Sequence, residues 1–227
     1  MPASADAPET GALIYWFDIR PEVVVEWLDW YLRDHMPSRV GTSFTTGRCF
    51  EAIDASSSHM VLFETTRPED LLAPDYLRLL GTVSPEDRQR RGWYANTVRM
   101  TARVGTRISR GIGSVLAVAR FDQAPSGPHA VCDDTTLNAL SAIPGVGSVW
   151  VAQHDRTIRE RMDQVRVTGH QDQSADAALM IEAARDQDAR DAIDRLRQTL
   201  ASSASDPLDR VSFGRYRLMY AMTGGPR

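Results

Sequence analysis

A pattern of short motifs that occurs twice constrains the fold of this 227-residue chain more than any other sequence feature. The motif Phe17-Asp18-x-x-Pro21 recurs as Phe121-Asp122-x-x-Pro125. Further along each half, Leu62-Phe63-Glu64 is echoed by Met180-Ile181-Glu182, in both cases ahead of a predicted helix. Because the motifs keep their order in both halves, we infer that the chain contains one structural unit twice.

Both halves show the same succession of predicted elements: strand, helix, strand, strand, helix, strand. Buried or alternating apolar runs indicate the strands, apolar residues at helical spacing indicate the helices, and Pro or Gly bounds several of them. In the first half we expect strands at 13–19, 43–53, 60–65 and 98–108 and helices at 21–37 and 67–80. In the second half we expect strands at 114–121, 147–153, 177–183 and 215–222 and helices at 133–143 and 188–201. Residues 84–91 are predicted to form a charged connector.

This order of elements is that of the ferredoxin-like βαββαβ unit. The sequence therefore predicts an α+β protein of two tandem ferredoxin-like repeats that close into one barrel within the chain. We assign residues 1–11 to a flexible N-terminus, 12–110 to the first repeat and 111–227 to the second, with a mobile variable loop at 157–174. Since each sheet has helices on one face, the two free faces should enclose an interior pocket, which is the default ligand site.

Composition and motif content exclude several classes of function. The formal net charge of −4 does not favour nucleic acid or an anionic membrane as a partner. Neither Cys49 nor Cys132 lies in a CxxC pair or at metal-ligand spacing from a histidine, so we expect neither a disulfide framework nor a metal site. The chain lacks a signal-peptide pattern and a membrane-spanning run, which predicts a cytoplasmic protein. Nucleotide-binding, zinc-protease and hydrolase motifs are also absent from the sequence.

The first half resembles a known superfamily. The resemblance covers residues 12–108 and rests on Trp27-Leu28-Asp29-Trp30-Tyr31, Asp34-His35-Met36-Pro37, Gly41 and the Gly47-Arg48-Cys49-Phe50 strand. These residues resemble those of dimeric α+β barrel proteins, in particular EthD-like and related uncharacterised bacterial tandem-repeat members. The superfamily includes cofactor-free monooxygenases, polyketide cyclases, muconolactone isomerases, haem-degrading enzymes and ligand binders. The second half matches by topology alone.

His35 is the leading candidate for a catalytic residue, and the resemblance is its main support. It ends a predicted helix, where the macrodipole favours the protonated form, and imidazole transfers protons near neutral pH. The alternative is a structural histidine that caps helix carbonyls and packs on Tyr31. Aligning Pro37 with Pro144 matches His35 to Ala142, so a site built on this histidine occurs once per chain.

Two carboxylates interrupt apolar strands and are weighed as pocket acids. Asp18 and Glu64 are costly on central strands unless they are paired. Because they recur as Asp122 and Glu182, they also fit a structural role at strand ends.

The remaining candidates for substrate binding are aromatic or basic. His59 starts a strand and points either into the barrel or to the surface. Tyr76, Trp93, Tyr94 and Arg99 form either an aromatic pocket or ordinary core.

Three functions remain open at this stage. The first is a cofactor-independent lyase, isomerase, cyclase or oxygenase that acts on a hydrophobic or aromatic molecule in the barrel interior with His35 as acid or base. The second is haem binding or haem degradation, and the third is non-catalytic binding of a metabolite. Either a monomer or a homodimer is compatible with the fused repeats.

Overall fold

Eight antiparallel strands form a closed barrel in the computed structural model of the chain, which describes residues 8–123, 132–167, 172–202 and 210–224. Their order around the barrel is β1-β3-β2-β8-β5-β7-β6-β4, so each half of the chain supplies four adjacent strands. The α+β class is therefore confirmed. The strands are β1 (Thr10–Ile19), β2 (Thr46–Asp54), β3 (His59–Thr65), β4 (Tyr94–Ser109), β5 (Val115–Phe121), β6 (Val146–His154), β7 (Ala177–Ala183) and β8 (Val211–Thr223).

Side chains on alternate strand positions fill the interior of the barrel. Successive residues of a strand point to opposite faces of the sheet. In β1, Ile14 and Trp16 accordingly point inward and pack with Met60 and Leu62 of β3 and with Met100 of β4. The interior cluster draws on both halves of the chain and is almost wholly buried. These buried side chains fill the space in which a substrate was expected, so a substrate in the barrel interior stays a prediction.

Helices cover the outer face of the barrel. The first half contains a 3₁₀ turn (Pro21–Val23), α1 (Val24–Trp30), a π-helical turn (Tyr31–His35), a second 3₁₀ turn (Pro68–Leu72), α2 (Pro74–Gly81) and α3 (Pro85–Arg91). The second half contains α4 (Asp134–Ser141), α5 (Arg156–Val165) and α6 (Asp186–Ser202). None of the helices that the structure describes is long and apolar enough to cross a membrane.

Two of these helices correct the sequence predictions. The predicted connector at 84–91 is α3, which begins after Ser84, whose side chain accepts a hydrogen bond from Asp87 N at 3.0 Å. Half of the predicted mobile loop at 157–174 is α5, which begins after Asp155, whose side chain accepts from Ile158 N at 2.9 Å. Residues 168–171 of that loop lie outside the described residues. Both helices start with an acceptor side chain at the N-cap, which satisfies a free backbone N–H.

Helix α5 belongs to the second half of the chain but packs on the first half of the barrel. Its two buried residues, Ile158 and Met162, join the apolar cluster between the first sheet and its helices. That cluster also contains Trp27 of α1 and Tyr76 of α2. The outer face of the first sheet is therefore covered by segments from both halves.

Candidate functional site

A cavity of about 60 Å³ lies between the outer face of the first sheet and the surrounding helices. Leu13, Val61 and Phe63 form its apolar wall. The remaining lining is rich in tyrosine and arginine, with one histidine among them. These polar and aromatic residues are Tyr15, Tyr31, His35, Arg39, Tyr76, Arg91, Tyr94, Arg99 and Arg166. Leu80 completes the lining.

The π-helical turn places His35 at this cavity. Met36 N donates to Tyr31 O at 2.8 Å, a bond across five residues that inserts one extra residue into the turn. Such turns occur frequently at functional sites. The His35 ring packs against Trp30 and Tyr31, with ring centroids 4.6 Å and 4.8 Å away. The predicted contact with Tyr31 is thus present, and the same geometry directs the ring to the cavity.

His35 is electrically neutral at neutral pH. Burial lowers its pKa well below the ordinary value, and the charges of Arg39 and Arg91 lower that pKa further. The expectation that the helix end favours the protonated form is wrong, because burial and two nearby guanidinium groups outweigh the helix dipole. Arg39 rather than the imidazole caps the turn, since its Nη1 donates to the His35 carbonyl at 2.7 Å.

Tyr15, Tyr31 and Tyr94 of the cavity remain protonated, so their hydroxyls can act as hydrogen-bonding groups. Burial, with the nearby charge of Asp172, raises the pKa of Tyr15 to about 12. Burial also raises the pKa of Tyr31 and Tyr94 well above their ordinary value. The Tyr94 hydroxyl accepts a hydrogen bond from Trp27 Nε1 at 2.9 Å. The Tyr31 hydroxyl is buried and has no hydrogen-bond partner among the described residues.

Asp172 connects one side of the cavity to the second half of the chain. Its side chain is completely buried, and its Oδ1 accepts from the hydroxyls of Tyr15 and Thr97, both at 2.8 Å. Its Oδ2 pairs with Arg166 and lies 3.5 Å from Arg99 Nε. Burial alone would raise the pKa of Asp172, but the charge of Arg166 and these hydrogen bonds lower it below its usual range.

Three of the candidate substrate-binding residues, Tyr76, Tyr94 and Arg99, share this cavity with His35. Tyr76 is 2% exposed and meets Phe44 edge to face, with ring centroids 4.7 Å apart. Arg99 pairs with Asp163, and burial lowers the pKa of its guanidinium to about 10. The structure thus brings Tyr76, Arg99 and His35 together.

Three predicted residues lie away from the cavity lining. Asp18 accepts hydrogen bonds from Ser58 N and Asn96 Nδ2, both at 2.7 Å, and so links the turn between β2 and β3 to the start of β4. His59 points outward from the barrel; its Nδ1 lies 2.9 Å from Ser58 Oγ, and burial lowers its pKa. Trp93 packs against the outer apolar cluster of the first sheet. These contacts fit the structural alternatives for the three residues.

Glu64 contributes to a network of ion pairs at one end of the barrel. It lies 2.6 Å from Arg107 and 3.2 Å from Arg48. Arg48 also pairs with Glu182 at 2.5 Å, and Glu182 accepts a hydrogen bond from Gly113 N at 3.0 Å. The two glutamates that echo each other in the sequence therefore meet in one network, which supports the structural alternative for Glu64.

Sequence reasoning missed several residues of the cavity. One signal was present: Tyr31, His35 and Arg39 recur at intervals of four, which places them on one side of the helical segment. Arg91 was assigned to a connector and Arg166 to a mobile loop. Tyr15 lies inside an apolar strand, where nothing in the sequence distinguishes a cavity residue from core.

Comparison with known proteins identifies the fold. No family model and no curated protein matches the sequence. Among solved structures, an anthrone oxidase-like protein is 12% identical with a TM-score of 0.60, covering 98% of this chain and 96% of that one. A proposed monooxygenase of Fusobacterium nucleatum is 6% identical with a TM-score of 0.56, covering 97% of each chain. A haem-binding protein of Thermus thermophilus is 8% identical with a TM-score of 0.51, covering 96% of this chain and 94% of that one.

These neighbours share the dimeric α+β barrel fold, and at such low identity the likeness shows the fold alone. The chain thus has the barrel that the sequence resemblance implied.

Proposed function

We propose that the chain is a cofactor-independent enzyme that removes a proton from a small aromatic phenol or enol, with His35 as the base. The observation that carries this proposal is the state of His35 in the cavity. Its imidazole is neutral at pH 7, and neither ring nitrogen is hydrogen-bonded within the part of the chain that the structure describes. A neutral imidazole with a free nitrogen can accept a proton.

The neighbouring side chains suit the anion that such a step forms. An O–H or acidic C–H bond of the substrate breaks, its proton moves to an imidazole nitrogen, and the electron pair stays on the substrate. Arg39 and Arg91 line the same cavity as His35 and place positive charge beside it. Preorganised positive groups in a site that excludes water stabilise a developing anion strongly.

The names of two neighbours suggest what happens to this anion. One is anthrone oxidase-like and one is a proposed monooxygenase. An aromatic carbanion can reduce molecular oxygen without a cofactor. For anthrone the balanced reaction consumes one O₂ and yields anthraquinone and one water.

Oxygen uptake tests the proposal directly. Purified protein is supplied with anthrone and with single-ring phenols, which the cavity of about 60 Å³ suits better. Oxygen consumption and product absorbance are followed together. Loss of a general base costs about 10²–10⁴-fold in rate, so we expect His35→Gln to abolish most turnover. His154→Gln is the matched control, because the His154 ring contacts the Thr101 carbonyl at 2.8 Å and does not line the cavity.

Equal rates in the parent and His35→Gln would remove His35 as the base. Binding of these compounds without any turnover would instead favour the non-catalytic alternative, a metabolite-binding protein. Ligand binding raises the melting temperature by mass action in either case, so product formation separates the two.

Haem is the second alternative, because two neighbours are described as chlorite dismutase and as haem-binding. The cavity beside His35 does not fit a porphyrin. Its volume of about 60 Å³ is far below the roughly 300–1,000 Å³ of sites for molecules of that size. Titration with haemin, followed by the Soret band, tests this alternative.

The finer structural assignments belong to the same proposal. The strand order β4-β1-β3-β2 of the first half equals the order β8-β5-β7-β6 of the second. This equality supports two tandem ferredoxin-like repeats, 12–110 and 111–227, as in EthD-like tandem-repeat proteins. A cytoplasmic location and a monomeric or homodimeric state remain predictions, which fractionation and native mass measurement test.

A further inference from the structure

Arg39 is a buried cation with only neutral partners. It is 5% exposed, and its Nη1 donates to the His35 carbonyl at 2.7 Å and to Ser38 Oγ at 2.9 Å. Within the described ranges no carboxylate lies at ion-pair distance from it. A buried charge is costly unless an opposite charge compensates it. Arg39 therefore has a charge that no carboxylate of the described residues balances.

Two further donors on the same cavity also lack partners. Arg91 lies at the end of α3, and its Nε is buried without a hydrogen bond among the described residues. The Tyr31 hydroxyl is also buried without a hydrogen-bond partner among the described residues, and the residue is 2% exposed. Nearly all buried donors in folded proteins are satisfied. Two unsatisfied donors, together with the unpaired cation of Arg39, lie on three residues that line one cavity and point to an anionic ligand that accepts hydrogen bonds.

The other two arginines of the cavity have carboxylate partners, although the Nε of Arg99 is also buried without a hydrogen bond among the described residues. Arg99 pairs with Asp163, and Arg166 pairs with Asp172. Carboxylates therefore neutralise the cations on one side of the cavity, whereas no carboxylate of the described residues pairs with Arg39 or Arg91 beside His35. The side with Arg99 and Arg166 is therefore an ordinary ion-pair network, and the side with Arg39 and Arg91 is a candidate binding subsite.

We propose that Arg39, Arg91 and the Tyr31 hydroxyl bind a carboxylate, so that the substrate is an aromatic acid. The inference rests on the proposed function and deepens it, because it names the substrate class for the same cavity. Planar guanidinium groups match the two oxygens of a carboxylate. The rings of Tyr15, Tyr76 and other lining tyrosines suit an aromatic ring next to it.

The charge balance favours a carboxylate over a phosphate group. A carboxylate cancels one of the two uncompensated guanidinium charges, which leaves one positive charge beside His35. That charge is available to stabilise the anion that forms when His35 takes the second proton of the substrate. A phosphate of about −1.5 to −2 charge would cancel both guanidinium groups and leave none.

Calorimetric titration with benzoate tests the subsite without requiring turnover. Benzamide is the neutral probe of the same shape, and inorganic phosphate is the alternative anion. We expect benzoate to bind at least about tenfold more tightly than benzamide, since charge-assisted hydrogen bonds are about twice as strong as neutral ones. Equal binding of benzoate and benzamide, or binding of phosphate but not benzoate, would overturn the proposal.

Substitutions locate the subsite. Arg91→Gln should weaken benzoate binding by about tenfold or more, whereas Arg88→Gln on the exposed side of the same helix should leave it unchanged. Arg39→Gln should have an effect of similar size. Tyr31→Phe keeps the ring and removes the unsatisfied hydroxyl, so it decides the matter if Arg39→Gln does not fold. Benzoate binding that none of these three substitutions weakens would overturn the assignment.

The proposed function and this inference fail in different ways. If benzoate binding depends on the arginines but no phenol is turned over, the subsite stands and the enzyme proposal falls. If anthrone is oxidised through His35 while benzoate neither binds nor inhibits, the enzyme proposal stands and the subsite falls.

Discussion

The substitution Asp172→Asn tests whether the second half of the chain holds one wall of the cavity by a buried charge. The side chain of Asp172 has no exposed surface and meets donors on both carboxylate oxygens. Tyr15 and Thr97 donate to Oδ1, while Arg166 and Arg99 lie against Oδ2. Asparagine keeps the size of the side chain and removes the charge.

The magnitude follows from which contacts asparagine can keep. Its carbonyl can still accept from Tyr15 and Thr97, but its amide N–H groups would then face the guanidinium of Arg166, donor against donor. Removing one partner of a buried ion pair costs about 3–5 kcal/mol. In a chain of this size about 1 kcal/mol shifts the melting temperature by roughly 2–4 °C. We therefore expect Asp172→Asn to melt about 6–20 °C lower than the parent.

Calorimetry and urea unfolding measure this loss, and two further variants identify its cause. Asp75→Asn is the matched control, since that side chain is 58% exposed and pairs with Arg78 at the surface, where ion pairs contribute little. Adding Arg166→Gln to Asp172→Asn removes the unpaired guanidinium and should recover part of the stability. The reasoning is refuted if Asp172→Asn costs no more than Asp75→Asn, or if the double variant loses the sum of its two single losses.

Three further measurements test other parts of the structure. Glu182→Gln should lower the free energy of unfolding in urea by about 3 kcal/mol, because it leaves a buried arginine half-paired; an unchanged urea midpoint would contradict this. Burial lowers the folded-state pKa of His35, His59 and His154, so the unfolded chain gains protons first. The free energy of unfolding is therefore highest above the unfolded-state pKa of about 6.5. Below that pH it falls by up to about 1.4 kcal/mol per pH unit for each histidine. Urea midpoints between pH 7.5 and 5.5 measure this loss, and a flat profile would show that these histidines ionise in the folded state. Without ligand, Tyr31→Phe should not lower the melting temperature, because it removes a buried hydroxyl that makes no hydrogen bond among the described residues; a clear loss would reveal a partner.

The barrel itself was predictable because its strands have a strong local signal. Residues 13–19 and 177–183 are apolar on both faces, since one face packs inside the barrel and the other packs under helices. The structure places strands there as Thr10–Ile19 and Ala177–Ala183. The repeated glutamate of the two motifs, Glu64 and Glu182, also corresponds to a real contact, because both side chains pair with Arg48 at the same end of the barrel.

Helices α3 and α5 were not predicted because their apolar content is low. Helix α3 has no buried residue, and α5 buries only Ile158 and Met162. A helix of this kind is held by its N-cap and by one narrow apolar edge, which a search for apolar periodicity does not register. The consequence for function was large, because these segments supply Arg91 and lead to Arg166 at the cavity.

The position of the cavity could not be read from the sequence because the two faces of each strand are equally apolar. In β1, Ile14 points into the barrel and Leu13 lines the cavity outside it, and neither residue type reveals which face is which. The distinguishing residues are those that break the equivalence of the two halves: His35, which aligns with Ala142, and the α5 segment that leads to Asp172. The residues shared by both halves, such as Glu64 and Glu182, hold the barrel together. It follows that chemistry in this fold is to be sought where the halves differ, and the cavity beside His35 is such a place.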